Sequence, residues 1–277
     1  MKKKQTAKQW IGNIVGILCA VIIFIVPFYF MFVNSLKGRK EANLLSIALP
    51  DRLQWENYWE VLTMNNGIVL TAFKNSTLLM VGSVIVLIIT CSMAGYVLQR
   101  KKNKVMSIVN AVFLIGLMVS PAILPTIWVM QGLGIYKTLV GMILVEVALN
   151  IPFTVMLYRG YMGFIPVELE EAGYIDGCTK FQMFTKIIFP LLKPATATVT
   201  ILTAVTVFND FANPLYFLPG TKNATVQLTL YNFTSQYASS YNLLFADVIL
   251  ITIPMLILFI IFNKKIIDGM VAGAVKS

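Results

Sequence analysis

The sequence predicts an all-α protein that crosses a membrane several times, and three observations carry that expectation. Hydrophobic residues make up 58% of the 277-residue chain and charged residues 12%, whereas soluble domains run near ~45–50% and ~25%. Mean hydropathy is +0.79. Six apolar stretches are each long enough to approach a ~30 Å hydrocarbon core, which takes ~20 helical residues. The basic residues fall in short clusters between those stretches rather than on one face or arm, so the net charge of +10 describes a membrane protein. Nucleic acid is excluded as a partner on the same ground.

The expected spans cover residues 11–33, 76–98, 105–129, 139–158, 196–209 (extended to about 216) and 243–262. The first follows Lys2, Lys3 and Lys4, but it is too long for a secretory h-region, and Asn34-Ser35-Leu36-Lys37 is a poor cleavage site. It reads as a retained span. In the external segment that follows, Trp55, Tyr58, Trp59 and Leu62 recur on one helical face. Such a helix suits the outer interface, where indole and phenol rings anchor. Pro27, Pro121, Pro125, Pro152 and Pro254 lie within spans and each removes a ladder hydrogen bond. The whole chain, 1–277, reads as a single transmembrane domain.

The loop at about 160–194 reads as a helix-turn-helix. Pro166 opens a short helix, and Glu168, Glu170 and Glu171 suit its positive end. Gly177 supplies a stop. Thr179-Lys180-Phe181-Gln182 has the form of a capping box. Phe181, Phe184 and Ile188 then share a face of the second helix, Pro190 closes it, and Pro194 starts the fifth span. Fifteen of the 22 basic residues sit at the two termini and in the second and fourth loops. The positive-inside bias therefore places both termini and this loop in the cytoplasm.

Several function classes are poorly served. Cys19, Cys91 and Cys178 have no metal or redox spacing, and the chain contains no His. No catalytic residue and no metal site is expected, and no Gly-x-x-x-x-Gly-Lys-Ser/Thr phosphate loop occurs. Polar residues inside the spans are the remaining candidates. Glu146, Asn150 and Thr154 recur at i, i+4, i+8. A mid-membrane carboxylate faces a cavity or a partner, so two readings stand: a substrate path, or interhelical hydrogen bonding. Thr196, Thr200, Thr203 and Thr206 form a second stripe, better explained by bonds to the preceding turn. Asn209 and Asp210 lie in Phe208-Asn209-Asp210-Phe211-Ala212-Asn213-Pro214, a mixture that suits sugar hydroxyls and also suits a helix-capping turn.

The spacing of Glu171-Ala172-Gly173, Asp176-Gly177, Ile187 and Pro190 resembles the signature loop of bacterial ABC-importer permeases. Over almost its full length the chain is similar to the carbohydrate-uptake, maltose-transporter-type branch of that family. Ser35-Leu36-Lys37, Glu56-Asn57-Tyr58, Ala94-Gly95-Tyr96, Asn209-Asp210-Phe211 and the ending Gly273-Ala274-Val275-Lys276 all look like its patterns. Gly173 stands where the family usually has Ala, and Phe189 where it usually has Leu. The resemblance implies an importer of the bacterial plasma membrane with two permeases, two ATPase subunits and an external solute-binding protein. This chain would bind no cofactor, with ATP and Mg held on the ATPase. Glu171, Ala172, Gly173, Asp176, Gly177, Ile187 and Pro190 would carry ATPase coupling, and Gly273, Ala274, Val275 and Lys276 a lesser cytoplasmic contact. A secondary transporter and a membrane enzyme are the rival classes; the first lacks visible internal repeats here, the second its His or metal cluster.

Overall fold

The structure, a computed structural model, describes residue 13 and residues 16–119, 121–233 and 240–274, the side chains of residues 232 and 262–274 excepted. Its principal helices are α1 (Gly16–Ser35), α2 (Glu56–Arg100), α3 (Lys104–Met118), α4 (Ile123–Gly132), α5 (Leu139–Met162), α6 (Glu168–Ile175), α7 (Lys180–Leu191), α8 (Lys193–Asn209) and α9 (Tyr241–Ala274). No strand occurs among the described residues. The all-α expectation holds, for the reason that lipid offers the backbone no hydrogen-bonding partner.

Four helices are long and apolar enough to cross a bilayer: α1, α2, α5 and the Tyr241–Ile261 part of α9. A fifth is reached if α7 and α8, bent by 73° at their junction, count as one broken span. The expected third span is not one helix. α3 stops at Met118 and α4 begins at Ile123, with extended backbone at Val119 and Ala122 on either side of Pro121. Proline has no N–H to donate and its ring clashes with the preceding turn. Pro27 and Pro190 are accommodated differently. Each is directly preceded by a π-helical turn, Val21–Ile25 and Met183–Ile188, a wider coil that absorbs a missing ladder bond. Pro190 lies in the last turn of its helix, which ends one residue later at Leu191 before the bend into α8.

The described chain falls into two compact units, Met1–Val69 with Thr229–Ile253, and Leu70–Leu228 with Pro254–Ser277. In the first, α1 presents apolar side chains outward along most of its length and ends in a buried polar knot. Lys37 is fully buried, and its ammonium donates to Asn34 Oδ1 (3.2 Å), Ser46 O (2.8 Å) and Ser46 Oγ (3.0 Å). All three of its donors are thereby used. Asn57 Nδ2 donates to Ser35 O (2.7 Å) and Lys37 O (2.9 Å), and its Oδ1 accepts from Asn242 Nδ2 (2.9 Å). Two short motifs twenty residues apart are thus one structural object. Around it, Asn57 and Val61 point inward while Trp55 and Trp59 stay exposed, as an interfacial helix requires. α2 is then interrupted at Met64–Gly67, where Asn65, Asn66 and Gly67 have φ of +50°, +58° and +73°. Asn and Gly are the residues that tolerate this left-handed backbone.

In the second unit α2 and α5 approach so closely at Gly95 that a Cβ there would lie 2.8 Å from Tyr158 Cβ and 3.0 Å from the Arg159 backbone nitrogen. Small residues at such crossings are what membrane helices use to bring backbones together. Tyr158 is fully buried beneath it and donates to Thr196 Oγ1 on α8 (3.1 Å). The Thr stripe behaves as packing: Thr200 Oγ1 donates to the Thr196 carbonyl (2.7 Å).

The polar knot makes a quantitative expectation. Asn57→Ala strands the buried groups it serves, each at a cost of about 1–3 kcal/mol, and should lower the thermal midpoint of the purified protein. Trp59→Ala, at an exposed position on the same helix, should leave that midpoint nearly unchanged.

Candidate coupling site and translocation-path residues

The loop after α5 is a two-helix knob, α6 and α7, joined by a turn at Gly177. Gly177 adopts φ +78°, the left-handed stop the sequence calls for, and Asp176 caps α6 just before it. Thr179 opens α7 with a complete capping box. Gln182 N donates to Thr179 Oγ1 (3.3 Å), and Thr179 N donates to Gln182 Oε1 (2.9 Å). The buried face of α7 is Met183, Phe184 and Ile188; Phe181, expected on that face, is 69% exposed. The π turn beginning at Met183 changes the phase after Phe181, so helical spacing no longer carries the face across it.

What fixes α6 is a residue the sequence did not single out. Glu170 is buried, whereas Glu168 and Glu171 on either side are exposed. Its Oε1 accepts from Arg100 Nε (2.6 Å) and its Oε2 from Tyr96 OH (2.9 Å), both at the end of α2. Arg100 also donates through Nη2 to the Ile165 carbonyl (2.8 Å), which holds the approach to α6. The ion pair is mostly buried, its side chains 17% and 8% exposed. The only sequence signal was an Arg at the end of one apolar run and an acidic triplet in a later loop, which does not say which carboxylate turns inward.

Gly173, on the same inward face as Glu170, lets α6 lie directly on α7. A Cβ there would stand 2.5 Å from Met183 Cε and 2.9 Å from Ile187 Cδ1. Ile187 therefore serves the site as the floor under Gly173. Leu169, Glu171, Ala172, Ile175 and Asp176 of α6 are exposed, with Ile175 at 86%, while Tyr174 lies half-exposed on the Glu170 side beside Tyr96. The tip is therefore apolar as well as charged. Pro190 is exposed at the far end of α7, beside the sharp corner into α8.

Of the path candidates, Glu146 and Thr154 are buried in α5, and Asn150 Nδ2 donates to the Glu146 carbonyl (2.8 Å). Glu146 Oε1 meets no N–H or hydroxyl donor, and the group its carboxyl faces within hydrogen-bonding reach is the carboxyl of Asp210. Glu146 and Asp210, 64 positions apart in the chain, are thus brought together. Asp210 accepts from Asn213 N (3.2 Å) and Asn213 Nδ2 (2.7 Å), the capping turn weighed against sugar binding. Asn209 is exposed, and its Oδ1 accepts from Gln227 Nε2 (3.1 Å). Gly273 and Ala274 end α9, while Val275 and Lys276 lie outside the described residues. No cluster of three or more metal-ligating His, Cys, Asp or Glu side chains occurs among the described residues.

The chain combines apolar helices long enough to cross a membrane with a two-helix knob anchored through Glu170 to the end of one of them. The chain belongs to the family of binding-protein-dependent transport system inner membrane components, whose model matches residues 87–270. It is 32% identical to the melibiose/raffinose/stachyose import permease protein MelC of Bacillus subtilis (strain 168), across 100% of both chains. It is 29% identical to the probable starch degradation products transport system permease protein AmyC of Thermoanaerobacterium thermosulfurigenes, across 99% of each. The fold is shared with a chain in the crystal structure of a bacterial ABC transporter involved in the import of the acidic polysaccharide alginate. That likeness has a TM-score of 0.82 and 19% identity, over 95% of this chain and 99% of that one.

Two substitutions separate anchor from surface. Glu170→Gln leaves Arg100 without its counter-charge in a largely buried site, a loss of about 1–3 kcal/mol. It should expose the turn at Gly177 to limited proteolysis and lower the thermal midpoint, whereas Glu171→Gln should do neither. Gly173→Val should loosen the knob as Glu170→Gln does. Gly173→Ala should be milder, because the atom it meets first is the mobile end of Met183.

Proposed function

We propose that this chain is the membrane-spanning permease subunit of an ATP-driven sugar importer, working as one transmembrane domain that forms half of the translocation pathway. The membership of the family and the sugar-import permeases among its full-length relatives support the transport of carbohydrate. The single observation that carries the coupling role is the exposed side of α6: Leu169, Glu171, Ile175 and Asp176 stand exposed while Glu170 and Gly173 hold the helix from beneath. An exposed apolar side chain ringed by carboxylates, on a rigid support, is a docking feature. In this reading a separate ATPase subunit grips the knob, and the segment from Glu171 to Pro190 passes its motion to α8 through the corner at Leu192.

The assembly this implies has a second, homologous permease, two ATPase subunits that hold ATP and Mg, and an external solute-binding protein, with both termini and the knob in the cytoplasm. ATP and the loaded binding protein favour an outward-open state, and hydrolysis restores the inward-open one; each ligand shifts the equilibrium only by its differential affinity for the two states. Gly273, Ala274, Val275 and Lys276 make a lesser contact on the same side. Glu146, Asn150, Thr154, Asn209 and Asp210 are assigned to the sugar path, with Glu146 as an acceptor for a sugar hydroxyl.

The experiment is a pull-down of the tagged chain from gently solubilised native membranes, wild type beside Glu171→Lys and Ile175→Asp. An ATPase and a second permease should be recovered with the wild type, and both variants should lose the ATPase while retaining the second permease. Recovery of the wild-type chain without an ATPase, or undiminished ATPase in both variants, would sink the coupling role. For the path, Glu146→Gln should cut the initial rate of sugar uptake severalfold with subunit recovery and thermal midpoint unchanged. A fall in the midpoint with uptake per assembled importer preserved would mean that Glu146 is there for packing.

A further inference from the structure

Two carboxyl groups from separate elements meet inside the second unit. Glu146, on the spanning helix α5, is 2% exposed. Asp210, half-buried in the turn that ends α8, lies within hydrogen-bonding reach of it. The flanking chain is apolar and buried: Val145 and Val147 on α5, Val207 and Phe208 before Asp210. On the helices packed against α5 the charged residues are Lys74 and Arg100 of the Leu70–Arg100 part of α2, Lys104 at the start of α3 and Lys193 at the start of α8. Among the described residues Arg100 pairs with Glu170, and none of the other three forms an ion pair. No cation there neutralises the two carboxyls.

Two ionised carboxylates in contact repel each other strongly where water is excluded, and neither has a hydrogen to donate. Two carboxyl groups bond to each other only when one of them carries a proton, and such a pair titrates as a unit. The remaining contacts say which one carries it. Asp210 accepts from Asn213 N (3.2 Å) and Asn213 Nδ2 (2.7 Å), and donors of that kind favour the ionised form. Glu146 Oε1 meets no N–H or hydroxyl donor. The nearby amide of Asn150 is spent on the Glu146 main-chain carbonyl (2.8 Å). The Glu146 carboxyl is therefore the member of the pair left to act as donor.

We propose that Glu146 and Asp210 form a proton-binding site, in which the Glu146 carboxylic acid donates a hydrogen bond to the Asp210 carboxylate. The proton stands where a cation is missing and ties α5 to the turn that follows α8. Its departure to water turns that attraction into a repulsion between the two elements. The pair lies among the residues assigned to the sugar path, but the site stands on the geometry of the pair and needs neither sugar nor ATPase.

The test is infrared spectroscopy of the chain purified with the partners it retains, at neutral pH and without sugar or nucleotide. Wild type should show the carbonyl band of a protonated side-chain carboxyl that Glu146→Gln lacks. Taking the difference between the two removes any contribution from other buried carboxyls such as Asp247. Gln keeps an N–H donor toward Asp210, so the difference does not read misfolding. In Asp210→Asn, whose side-chain carbonyl still accepts from Asn213, the Glu146 band should vanish at a pH lower than in wild type by about one unit or more, because the neighbouring negative charge is gone. A difference spectrum without the band at neutral pH would overturn the site, as would an unchanged pH of loss in Asp210→Asn. A thermal midpoint that rises with Na⁺ in wild type but not in Glu146→Gln would also overturn it, since an inorganic cation would then bridge the pair. Sugar uptake per assembled importer reads the path separately, so the two readings fail independently.

Discussion

The contact on which the functional part of the molecule depends is the ion pair between Arg100 and Glu170, completed by the Tyr96 hydroxyl. It joins a residue at the end of a spanning helix to a residue in the middle of a loop helix, 70 positions later. Charge-assisted hydrogen bonds of this length are among the stronger non-covalent contacts, and here both partners are largely withdrawn from water. Without it α6 would be a short helix of eight residues with little intrinsic stability, since isolated helices of that length do not persist. With it, a push on the exposed face of α6 is resisted by α2 instead of being lost in the loop.

The rest of the knob follows from keeping α6 and α7 close. Gly173 removes the side chain that would separate them, and Met183 and Ile187 fill the space from the other side. The departure from the family's usual Ala at this position therefore has a packing reason. Gly costs about 1 kcal/mol relative to Ala in a helix interior, but here it opens room for a bulky thioether. Beyond Pro190 the chain turns through 73° into α8, whose buried face reaches Tyr158 of α5 through Thr196. A continuous set of packed and hydrogen-bonded groups thus runs from the knob to two spanning helices. Such continuity is a physical route between the knob and the spanning helices.

Buried polar groups are placed with similar economy. The knot of Asn34, Lys37, Ser46, Asn57 and Asn242 satisfies an ammonium with neutral oxygens alone. Breaking such a network is costly because each stranded group loses both water and partner. Glu146 and Asp247 are the contrast, each a buried carboxylate with one oxygen that finds no ordinary donor. Carboxylates inside membrane spans are costly and face a cavity or a partner, which applies to both.

The membrane class, the capping box at Thr179, the stop at Gly177 and the outward Trp residues were legible in the sequence, because each depends on residues within a turn or two of one another. Apolar run length and helix-terminus chemistry are local properties, and tertiary packing had no reason to override them. Where they failed, a local backbone irregularity intervened. Pro121 split an apolar run into α3 and α4, and the π turn at Met183 shifted Phe181 off the buried face. Only the tertiary structure decided that Glu170 rather than Glu171 turns inward, that Gly173 is a contact surface, and that Glu146 meets Asp210. Each of those outcomes is set by which side chain another helix happens to cover, and the covering residues lie up to 74 positions away. Adjacent carboxylates on one short helix have the same local chemistry; burial against Arg100 is what makes one of them an anchor and leaves the other exposed.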